Sequence, residues 1–225
     1  MTGQNNAESG MRDATVRLSE IFFSLQGEAA RSGLPTVFIR LTGCPLRCTW
    51  CDTEYAFTGG ATTSIADVLV EVAKYPTHHV CVTGGEPLAQ KSCLALLSAL
   101  CDAGYDVCLE TSGALDINPV DPRVARIMDL KAPDSGESGK NLLANIDTLR
   151  ATDEVKIVIA SRSDFDWARD MVPQYKLDTR CDVVFSPVAG ELNPTDLAEW
   201  ILAAGLNVRF QLQLHKLLWE DARGK

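Results

Sequence analysis

The chain has 225 residues, of which 46% are hydrophobic, and about 70% of the unfolded surface of such a chain can be buried in one self-sufficient core. Its formal net charge of −9 at pH 7 disfavours a broad contact surface for a phosphate backbone, so no nucleic acid partner is expected. No apolar run approaches the roughly 18 residues of a membrane span, so no membrane partner is expected either.

The first residues differ in composition from the rest. Residues 1–14 mix glycine, amides and charge without periodicity, and we predict a disordered leader there, followed by a single domain over residues 15–225. Met1 to Thr15 lacks the apolar core of a signal peptide. The chain is therefore expected in the cytoplasm, where its cysteines would stay reduced.

From Val16 onward, short apolar runs alternate with helix-like segments. Strands are predicted at Val16–Phe23, Thr36–Leu41, His79–Thr83, Asp106–Thr111, Ala125–Leu130, Glu154–Ile159, Val183–Ser186 and Asn207–Leu212. Helices are predicted at Ile65–Lys74 with Ser64 and Asp67 capping it, Leu88–Ala103, Asn141–Arg150, Asp164–Gln174 behind Ser163, and Thr195–Ala204. This alternation indicates an α/β fold with a mostly parallel sheet, arranged as an incomplete (β/α) TIM-like barrel whose chemistry gathers at the carboxyl ends of the strands.

Three cysteines, Cys44, Cys48 and Cys51, lie close together directly after a predicted strand. An iron–sulfur cluster normally takes four cysteine ligands, so three leave one iron open to another ligand. A structural zinc site is the alternative, although it would need a fourth, distant ligand. The other cysteines lie in apolar stretches and are predicted to be buried core thiols: Cys81, Cys93, Cys101, Cys108 and Cys181.

The Cys-x3-Cys-x2-Cys spacing with Trp50 before the last cysteine resembles the signature of the radical S-adenosylmethionine (SAM) superfamily. Gly84-Gly85-Glu86-Pro87 follows the next strand; its glycines allow close backbone approach, and Glu86 offers an acceptor to an ammonium group. A tight strand-to-helix turn uses the same residues. The resemblance implies a barrel of the radical SAM type, a 4Fe–4S cluster on the three cysteines, and the SAM amino group bound by Gly84, Gly85 and Glu86.

Further SAM contacts are predicted beside these motifs. Trp50 offers a ring face to adenine or fills the core, and Ser112 and Lys131 have the alternatives of a helix cap and a solvated head group. The complete predicted SAM set is Trp50, Asp52, Gly84, Gly85, Glu86, Ser112, Asp129, Lys131 and Ser186.

From Val16 to Trp219 the chain resembles the 7-carboxy-7-deazaguanine synthase family in its motifs and in their order. The motifs are Leu25-Gln26-Gly27-Glu28, Arg40, Asp-Thr after the last clustered cysteine, Glu-Thr-Ser-Gly at 110–113 and Gln-Leu-His at 213–215. Ala29 stands where that family usually has glycine. The resemblance implies conversion of 6-carboxy-5,6,7,8-tetrahydropterin to 7-carboxy-7-deazaguanine with loss of ammonia, in queuosine and 7-deazapurine biosynthesis. It also implies Mg²⁺ on the hydroxyl of Thr53, an external one-electron donor such as flavodoxin, and a homodimer.

A carboxylated pterin needs a guanidinium for its carboxylate and mixed donors and acceptors for its ring edge. The predicted substrate-binding residues are Leu25, Gln26, Gly27, Glu28, Arg40, Thr83 and His215. Each has a plainer alternative: Arg40 paired with an acidic neighbour, Gln26-Gly27 as a turn, and His215 as a satisfied core histidine.

Two other functions compete with the ring-contracting lyase. One is an activase that installs a glycyl radical on a partner protein, which would share the cluster loop but would have no need for a carboxylate-binding pterin pocket. The other is a zinc-stabilised binding module without chemistry of its own.

Overall fold

A computed structural model describes residues 14–220 and 222–225, and nine strands in these ranges form one sheet. They are β1 (Thr15–Leu25), β2 (Pro35–Leu41), β3 (Ala61–Ser64), β4 (His79–Gly84), β5 (Asp106–Thr111), β6 (Ala125–Asp129), β7 (Glu154–Ile159), β8 (Asp182–Pro187) and β9 (Arg209–Phe210). The predicted leader lies, apart from residue 14, outside the described residues.

The spatial order of the strands is β3-β1-β2-β4-β5-β6-β7-β8-β9. β1 pairs antiparallel with β2 and β3, and from β2 to β9 every neighbouring pair is parallel. This open, mostly parallel sheet confirms the predicted incomplete barrel, and it brings the carboxyl ends of β2 and β4–β8 to one side.

Five α-helices occur within the described ranges: α1 (Ile65–Val72), α2 (Cys93–Asp102), α3 (Arg162–Tyr175), α4 (Pro194–Ala204) and α5 (Leu214–Trp219). The predicted cap of α1 is confirmed, because the Ser64 hydroxyl accepts a hydrogen bond from the Asp67 amide at 3.1 Å. The start of α3 was predicted wrongly: Ser161, not Ser163, accepts from the Asp164 amide and caps the helix.

Two predicted helices are shorter than expected, and in each segment a side chain binds the backbone of other segments. The helix predicted from Leu88 begins only at Cys93; Gln90 is extended and exchanges two hydrogen bonds with the backbone of Arg17, at 2.7 and 3.0 Å. Residues 141–150 form only a 3₁₀-helix, Leu143–Thr148, in which the buried Asn145 side chain bonds to three backbone groups outside it.

The chain after α4 also differs from the prediction. The strand predicted over Asn207–Leu212 is limited to the two residues of β9, and α5, which carries His215, was not predicted. β3 was missed as well, since its four residues are short and polar. A four-residue run carries too little alternation to identify a strand.

Alternation along the strands separates one inner packed layer from two outer ones. In β2, Val37, Ile39 and Leu41 face outward and pack with apolar residues of α1 and α2, while Phe38 faces inward. A second outer layer packs β6–β8 against α3 and α4. The inner layer consists of Ala29, Phe38, Cys81, Cys108 and Ile127. Four of the five predicted core thiols are buried, whereas Cys101 is only partly buried.

The loop between β1 and β2 joins the two ends of the sheet. Ala29 and Gln211 exchange two hydrogen bonds, from the Ala29 amide at 2.6 Å and from Gln211 Nε2 at 3.1 Å, and the Leu214 amide donates to the Gly27 carbonyl at 3.0 Å. Ala29 is buried and adopts a left-handed conformation with φ of 62°. That conformation is unfavourable for a residue with a Cβ, so the surrounding contacts hold it in place.

Candidate active site

The inward face of the sheet becomes polar toward the carboxyl ends of the parallel strands. Arg40, Thr83, Glu110, Asp129 and Lys156 all line one cavity of about 350 Å³. The strand register pairs Arg40 with Thr83 and Asp129 with Lys156. Arg40, Thr83, Glu110 and Asp129 each follow an inward-facing residue of the same strand by two positions, and Lys156 lies between two outward-facing apolar residues. Strand alternation therefore directs all five side chains to a common space.

The cavity brings together nearly all the residues predicted to form a site. Those that line it are Leu25, Gln26, Gly27, Glu28, Arg40, Cys44, Cys48, Trp50, Cys51, Asp52, Thr53, Thr83, Gly84, Gly85, Ser112, Asp129, Lys131 and His215. Glu86 and Ser186 are the two predicted residues that lie behind its wall.

The three clustered cysteines lie in the loop after β2, and each is partly exposed to the cavity. The Cys51 amide donates to the Cys48 carbonyl at 3.2 Å, and the Leu46 amide points at Cys44 Sγ at 3.4 Å. Burial raises the pKa of the Cys44 and Cys48 thiols, and bound iron would favour their thiolates. Three thiols from one loop facing one cavity fit an iron–sulfur cluster with an open iron.

Gly84 and Gly85 press the end of β4 against this loop. A Cβ on Gly84 would lie 2.2 Å from the Leu41 carbonyl oxygen, and one on Gly85 would lie 2.3 Å from the Gly43 carbonyl oxygen. The Glu86 amide donates to the same Gly43 carbonyl at 2.7 Å. Only glycine allows this backbone approach, and the surface it leaves along the cavity fits a ligand that needs close backbone contact.

Glu86, predicted as an acceptor for the SAM amino group, does not line the cavity. Its carboxylate is fully buried and accepts from the Leu88 amide at 2.9 Å, the Thr111 hydroxyl at 2.9 Å, and the Ser112 amide and hydroxyl at 2.6 and 2.5 Å. A buried carboxylate needs such donors to offset its lost hydration. Glu86 therefore ties the end of β4 to the end of β5 and holds Ser112 at the cavity wall.

Ser186 also lies behind the wall. It is fully buried at the end of β8, opposite the cavity-lining Val158 in the strand register, and its hydroxyl has no hydrogen-bond partner among the described residues. The SAM contact of Ser186 therefore stays a prediction, since this hydroxyl lies next to the cavity lining but does not itself line the cavity.

Asp52 connects the cluster loop to α5. Its carboxylate lies 3.9 Å from His215 Nε2 and 3.9 Å from Lys216 Nζ, and it accepts from the Thr53 hydroxyl at 3.1 Å. Burial alone would raise the pKa of Asp52, but His215, Lys216 and Thr53 hold it well below its usual value. The anionic Asp52 and the Thr53 hydroxyl form an oxygen-rich corner beside the thiols, which suits a hard cation.

Asp129 and Lys131 form an ion pair at the end of β6, with 2.5 Å between Nζ and Oδ2. Lys156 lies 3.4 Å from the other Asp129 oxygen. Burial alone would shift both charges toward neutrality, yet the two lysines keep the pKa of Asp129 below its usual value and the Asp129 charge keeps the pKa of Lys131 above its own. Both groups therefore remain charged at the cavity wall.

Arg40 lies between two aromatic rings, with its guanidinium carbon 5.5 Å from the centre of Phe22 and 5.8 Å from that of Tyr55. Its Nε donates to Glu20 at 2.8 Å, and the Tyr55 hydroxyl donates to the same Glu20 oxygen at 2.7 Å. Burial and the bond to Glu20 raise the pKa of Tyr55 to about 12. Arg40 thus has the acidic neighbour that the sequence left open, Glu20, which accepts only from Nε. No described residue accepts a hydrogen bond from either Nη atom of Arg40.

The loop residues Gln26, Gly27 and Glu28 reach the cavity through contacts with distant segments. Gln26 Nε2 donates to Glu110 at 3.2 Å, and the Thr83 hydroxyl donates to the other Glu110 oxygen at 2.8 Å. Glu28 accepts from Lys156 and, at 2.5 Å, from Gln213 Nε2. Gly27 lies so close to α5 that a Cβ there would be 2.4 Å from His215 Nδ1. His215 is therefore part of the wall and not a core residue.

Several residues of the site were not predicted: Glu20, Tyr55, Glu110, Lys156 and Gln213. Glu110 opens the Glu-Thr-Ser-Gly segment at a strand end, and Lys156 occupies the inward phase of a strand that is apolar apart from Glu154 and Lys156. A polar residue at the inward phase of a predicted barrel strand is a signal that could have identified both.

This fold and this site define a radical SAM protein. The family model described as the radical SAM superfamily matches residues 38–135, which include the cysteine loop and the glycines that press against it. Membership implies a 4Fe–4S cluster and SAM as cofactors, and the thiols and the glycine cradle fit that pair. A solved structure described as QueE from Escherichia coli has the same fold, with a TM-score of 0.77 and 24% identity over 96% of this chain and 100% of that one.

Within the superfamily, the chain belongs to the 7-carboxy-7-deazaguanine synthase family. It is 46% identical to a 7-carboxy-7-deazaguanine synthase of Chlorobaculum tepidum, covering 94% of this chain and 98% of the relative. A second relative with the same description, from Koribacter versatilis, is 40% identical over 91% of this chain and 97% of its own. Among the described residues, no helix has the length and apolarity to cross a membrane.

Proposed function

We propose that this chain is the lyase that converts 6-carboxy-5,6,7,8-tetrahydropterin into 7-carboxy-7-deazaguanine with loss of ammonia, in queuosine and 7-deazapurine biosynthesis. The observation that carries the proposal is Arg40, whose Nη atoms have no acceptor among the described residues although it lines the same cavity as the three thiols. A guanidinium fork in this state binds a carboxylate in bidentate form. The relatives described as synthases of this product support the same reaction.

The substrate side of the cavity offers the mixed groups that a pterin ring needs. Glu28 and Glu110 supply acceptors, and Gln26, Thr83 and His215 supply donors or acceptors next to them. Arg40 holds the carboxylate, and the rings of Phe22 and Tyr55 fix its guanidinium. These residues orient the substrate, and the aromatic walls exclude water from the reacting position.

The cofactors would bind on the side of the cavity that carries the three cysteines. Cys44, Cys48 and Cys51 would hold the cluster, Gly84 and Gly85 would offer backbone to the SAM amino acid end, and the remaining SAM contacts would come from Trp50, Asp52, Ser112, Asp129 and Lys131. When bound, the cluster and SAM supply a 5′-deoxyadenosyl radical, and the protein's part is to keep the cavity dry around it. Glu86 acts behind this wall by fixing Ser112.

Several finer features belong to the same proposal. Mg²⁺ would bind the Thr53 hydroxyl and complete its shell with water and substrate oxygens; the Asp52–Thr53 corner supports this. An external donor such as flavodoxin would reduce the cluster, and the enzyme would be a homodimer, as the family resemblance implies. The cytoplasm is its expected location because Met1 to Thr15 lacks the apolar core of a signal peptide. One sheet running from Thr15 to Phe210 supports a single domain over residues 15–225.

The test is anaerobic reconstitution with iron and sulfide, followed by incubation with dithionite, SAM and the carboxytetrahydropterin and by mass detection of products. The expected result is the deazaguanine acid with far less than one SAM consumed per turnover. Stoichiometric loss of SAM would contradict the proposal and favour another radical reaction. Zinc without iron or sulfide in anaerobically purified protein would support the binding module, and radical transfer to a partner protein would support the activase.

A further inference from the structure

Lys156 joins the two sides of the cavity. Its ammonium hydrogen-bonds to Glu28, which belongs to the proposed pterin contacts, and lies 3.4 Å from Asp129, which belongs to the proposed SAM contacts. The Lys156 side chain is only 12% exposed. Because these partners come from the β1–β2 loop and β6, no local sequence motif links the three residues.

The two contacts of Lys156 are unequal. Asp129 has a second cation, since Lys131 lies 2.5 Å from its other oxygen. The remaining side-chain partner of Glu28 is the neutral amide of Gln213, and among residues 14–220 and 222–225 no other cation pairs with Glu28. Removal of the Lys156 charge would therefore leave the Glu28 carboxylate without a cation partner, whereas Asp129 would keep Lys131.

The charged groups that face Lys156 are the carboxylates of Glu28, Asp129 and Glu110 and the ammonium of Lys131. Burial alone would lower the pKa of Lys156, but the three carboxylates raise it well above its usual value. A lysine that stays protonated is a poor proton donor and has no lone pair for a base or nucleophile. Its role is then to orient its partners.

We propose that Lys156 is a positioning residue for the pterin, which holds the Glu28 carboxylate along the cavity wall as the acceptor for the N–H edge of the ring. This inference rests on the proposed function, because that function makes Glu28 a pterin contact. A buried carboxylate without its cation would turn toward other donors or toward water, and the acceptor would no longer match the ring.

The test compares Lys156→Met with wild type in the reconstituted protein. Binding of 6-carboxypterin, the fluorescent oxidised form of the substrate, is measured by titration, and SAM binding by equilibrium dialysis. We expect pterin affinity to fall about 10- to 100-fold, the worth of one hydrogen bond to a charged group, with SAM affinity changed less than about threefold. Lys74→Met is the matched control, because Lys74 is 62% exposed in a surface ion pair and should leave both affinities unchanged.

A double-variant cycle with Glu28→Gln separates positioning from a general structural role. If Lys156 acts through Glu28, Lys156→Met should cause little further loss in the Glu28→Gln background. Ethylammonium should partly restore pterin binding to Lys156→Ala, whereas tetramethylammonium, which has no N–H donor, should not. Should Lys156→Met fail to fold, the double variant, which removes both charges, is compared with Glu28→Gln instead.

Equal losses of pterin and SAM affinity, or independent effects of the two substitutions, would overturn the inference. Wild-type protein that binds 6-carboxypterin but forms no deazaguanine would overturn the proposed reaction, and a selective loss in Lys156→Met would still support the positioning role. Wild-type protein that binds no pterin would overturn both.

Discussion

The two walls of the cavity are built in different ways. The cluster wall, which is the loop from Cys44 to Cys51 with Gly84 and Gly85, is held by backbone hydrogen bonds and by the absence of side chains at the glycines. The substrate wall consists of Gln26–Glu28, Arg40, Lys156 and His215, whose positions depend on contacts between side chains from distant segments. One wall is set by chain geometry and the other by pairing of charges.

This difference predicts different responses to substitution. Backbone packed against backbone has no side chain that can give way, so a single added methyl group must move the chain. An ion pair can be rearranged or replaced, at a cost that depends on whether one partner is left buried and alone. Changes in the cluster wall should therefore abolish function, and changes in the substrate wall should alter substrate affinity selectively.

The largest effect is expected from loss of a clustered thiol. Cys48→Ala should remove the cluster and abolish product formation, since two thiols do not hold a 4Fe–4S cluster that needs at least three. Iron and sulfide analysis after reconstitution measures this directly. Cys101→Ala, at a partly buried thiol outside the cavity lining, is the control and should keep its iron. A Cys48 variant with full iron content would argue against this loop as the cluster site.

Gly85→Ala tests whether chain geometry sets the cluster wall. The added methyl group would meet the Gly43 carbonyl oxygen at 2.3 Å, so β4 or the cysteine loop must shift. We expect SAM affinity to fall at least about 10-fold and stability to fall by about 1–3 kcal/mol, as for an overpacked core. Gly139→Ala is the control, because nothing lies within 4 Å of a Cβ there. Normal SAM affinity in Gly85→Ala would show that backbone geometry at Gly85 does not set the structure of the cluster wall.

Arg40→Ala tests the substrate wall. The KM for the carboxylated pterin should rise about 10- to 100-fold, because a charged hydrogen-bond partner of the substrate is lost. Cluster absorbance and SAM affinity should stay unchanged. A pterin without the carboxylate serves as the matched ligand and should bind both proteins alike. Loss of the cluster in Arg40→Ala would show that the two walls depend on each other.

Asp153 lies outside both walls and separates stability from binding. It pairs with the buried Arg126 at 2.5 Å and with Arg150 at 2.8 Å. Burial alone would raise its pKa, but hydrogen bonds from Arg150 and Arg126 lower it to about 2. The ionised Asp153 therefore adds about 2 kcal/mol to the free energy of unfolding at pH values above about 3.9, the pKa of an aspartate in the unfolded chain. This contribution is lost as the pH falls toward 2.

Denaturant unfolding of wild type and Asp153→Asn at several pH values checks this contribution. The variant should be about 3 kcal/mol less stable at neutral pH, because the substitution leaves the buried guanidinium of Arg126 without its carboxylate partner. The difference in unfolding free energy between wild type and variant should decrease as the pH falls below about 5. Because Asp153 does not line the cavity, ligand affinities of the folded variant should match wild type. A constant gap across pH would show that the carboxylate charge is not what stabilises the fold.

The parts of the site that could be predicted are those carried by contiguous residues. The cysteine loop, Gly84-Gly85, Asp52-Thr53 and Leu25 to Glu28 all line the cavity as expected. Glu86 was placed in the right loop, but its burial could not be predicted, since the groups that donate to its carboxylate include residues at the end of β5. Glu20 and Tyr55 were missed because they reach Arg40 only when β1, β2 and the segment after the cluster loop meet.

The sequence by itself determined the class of cofactor, the family, the mostly parallel sheet and the boundaries of most strands, because spacing, apolar alternation and glycine positions are local properties of a chain. The tertiary structure alone decided which polar groups pair across the cavity. Lys156 meets Glu28 across 128 residues, and Gln213 meets it across 185. Such contacts follow from strand order and register, which bring distant side chains to one space and which no local pattern encodes.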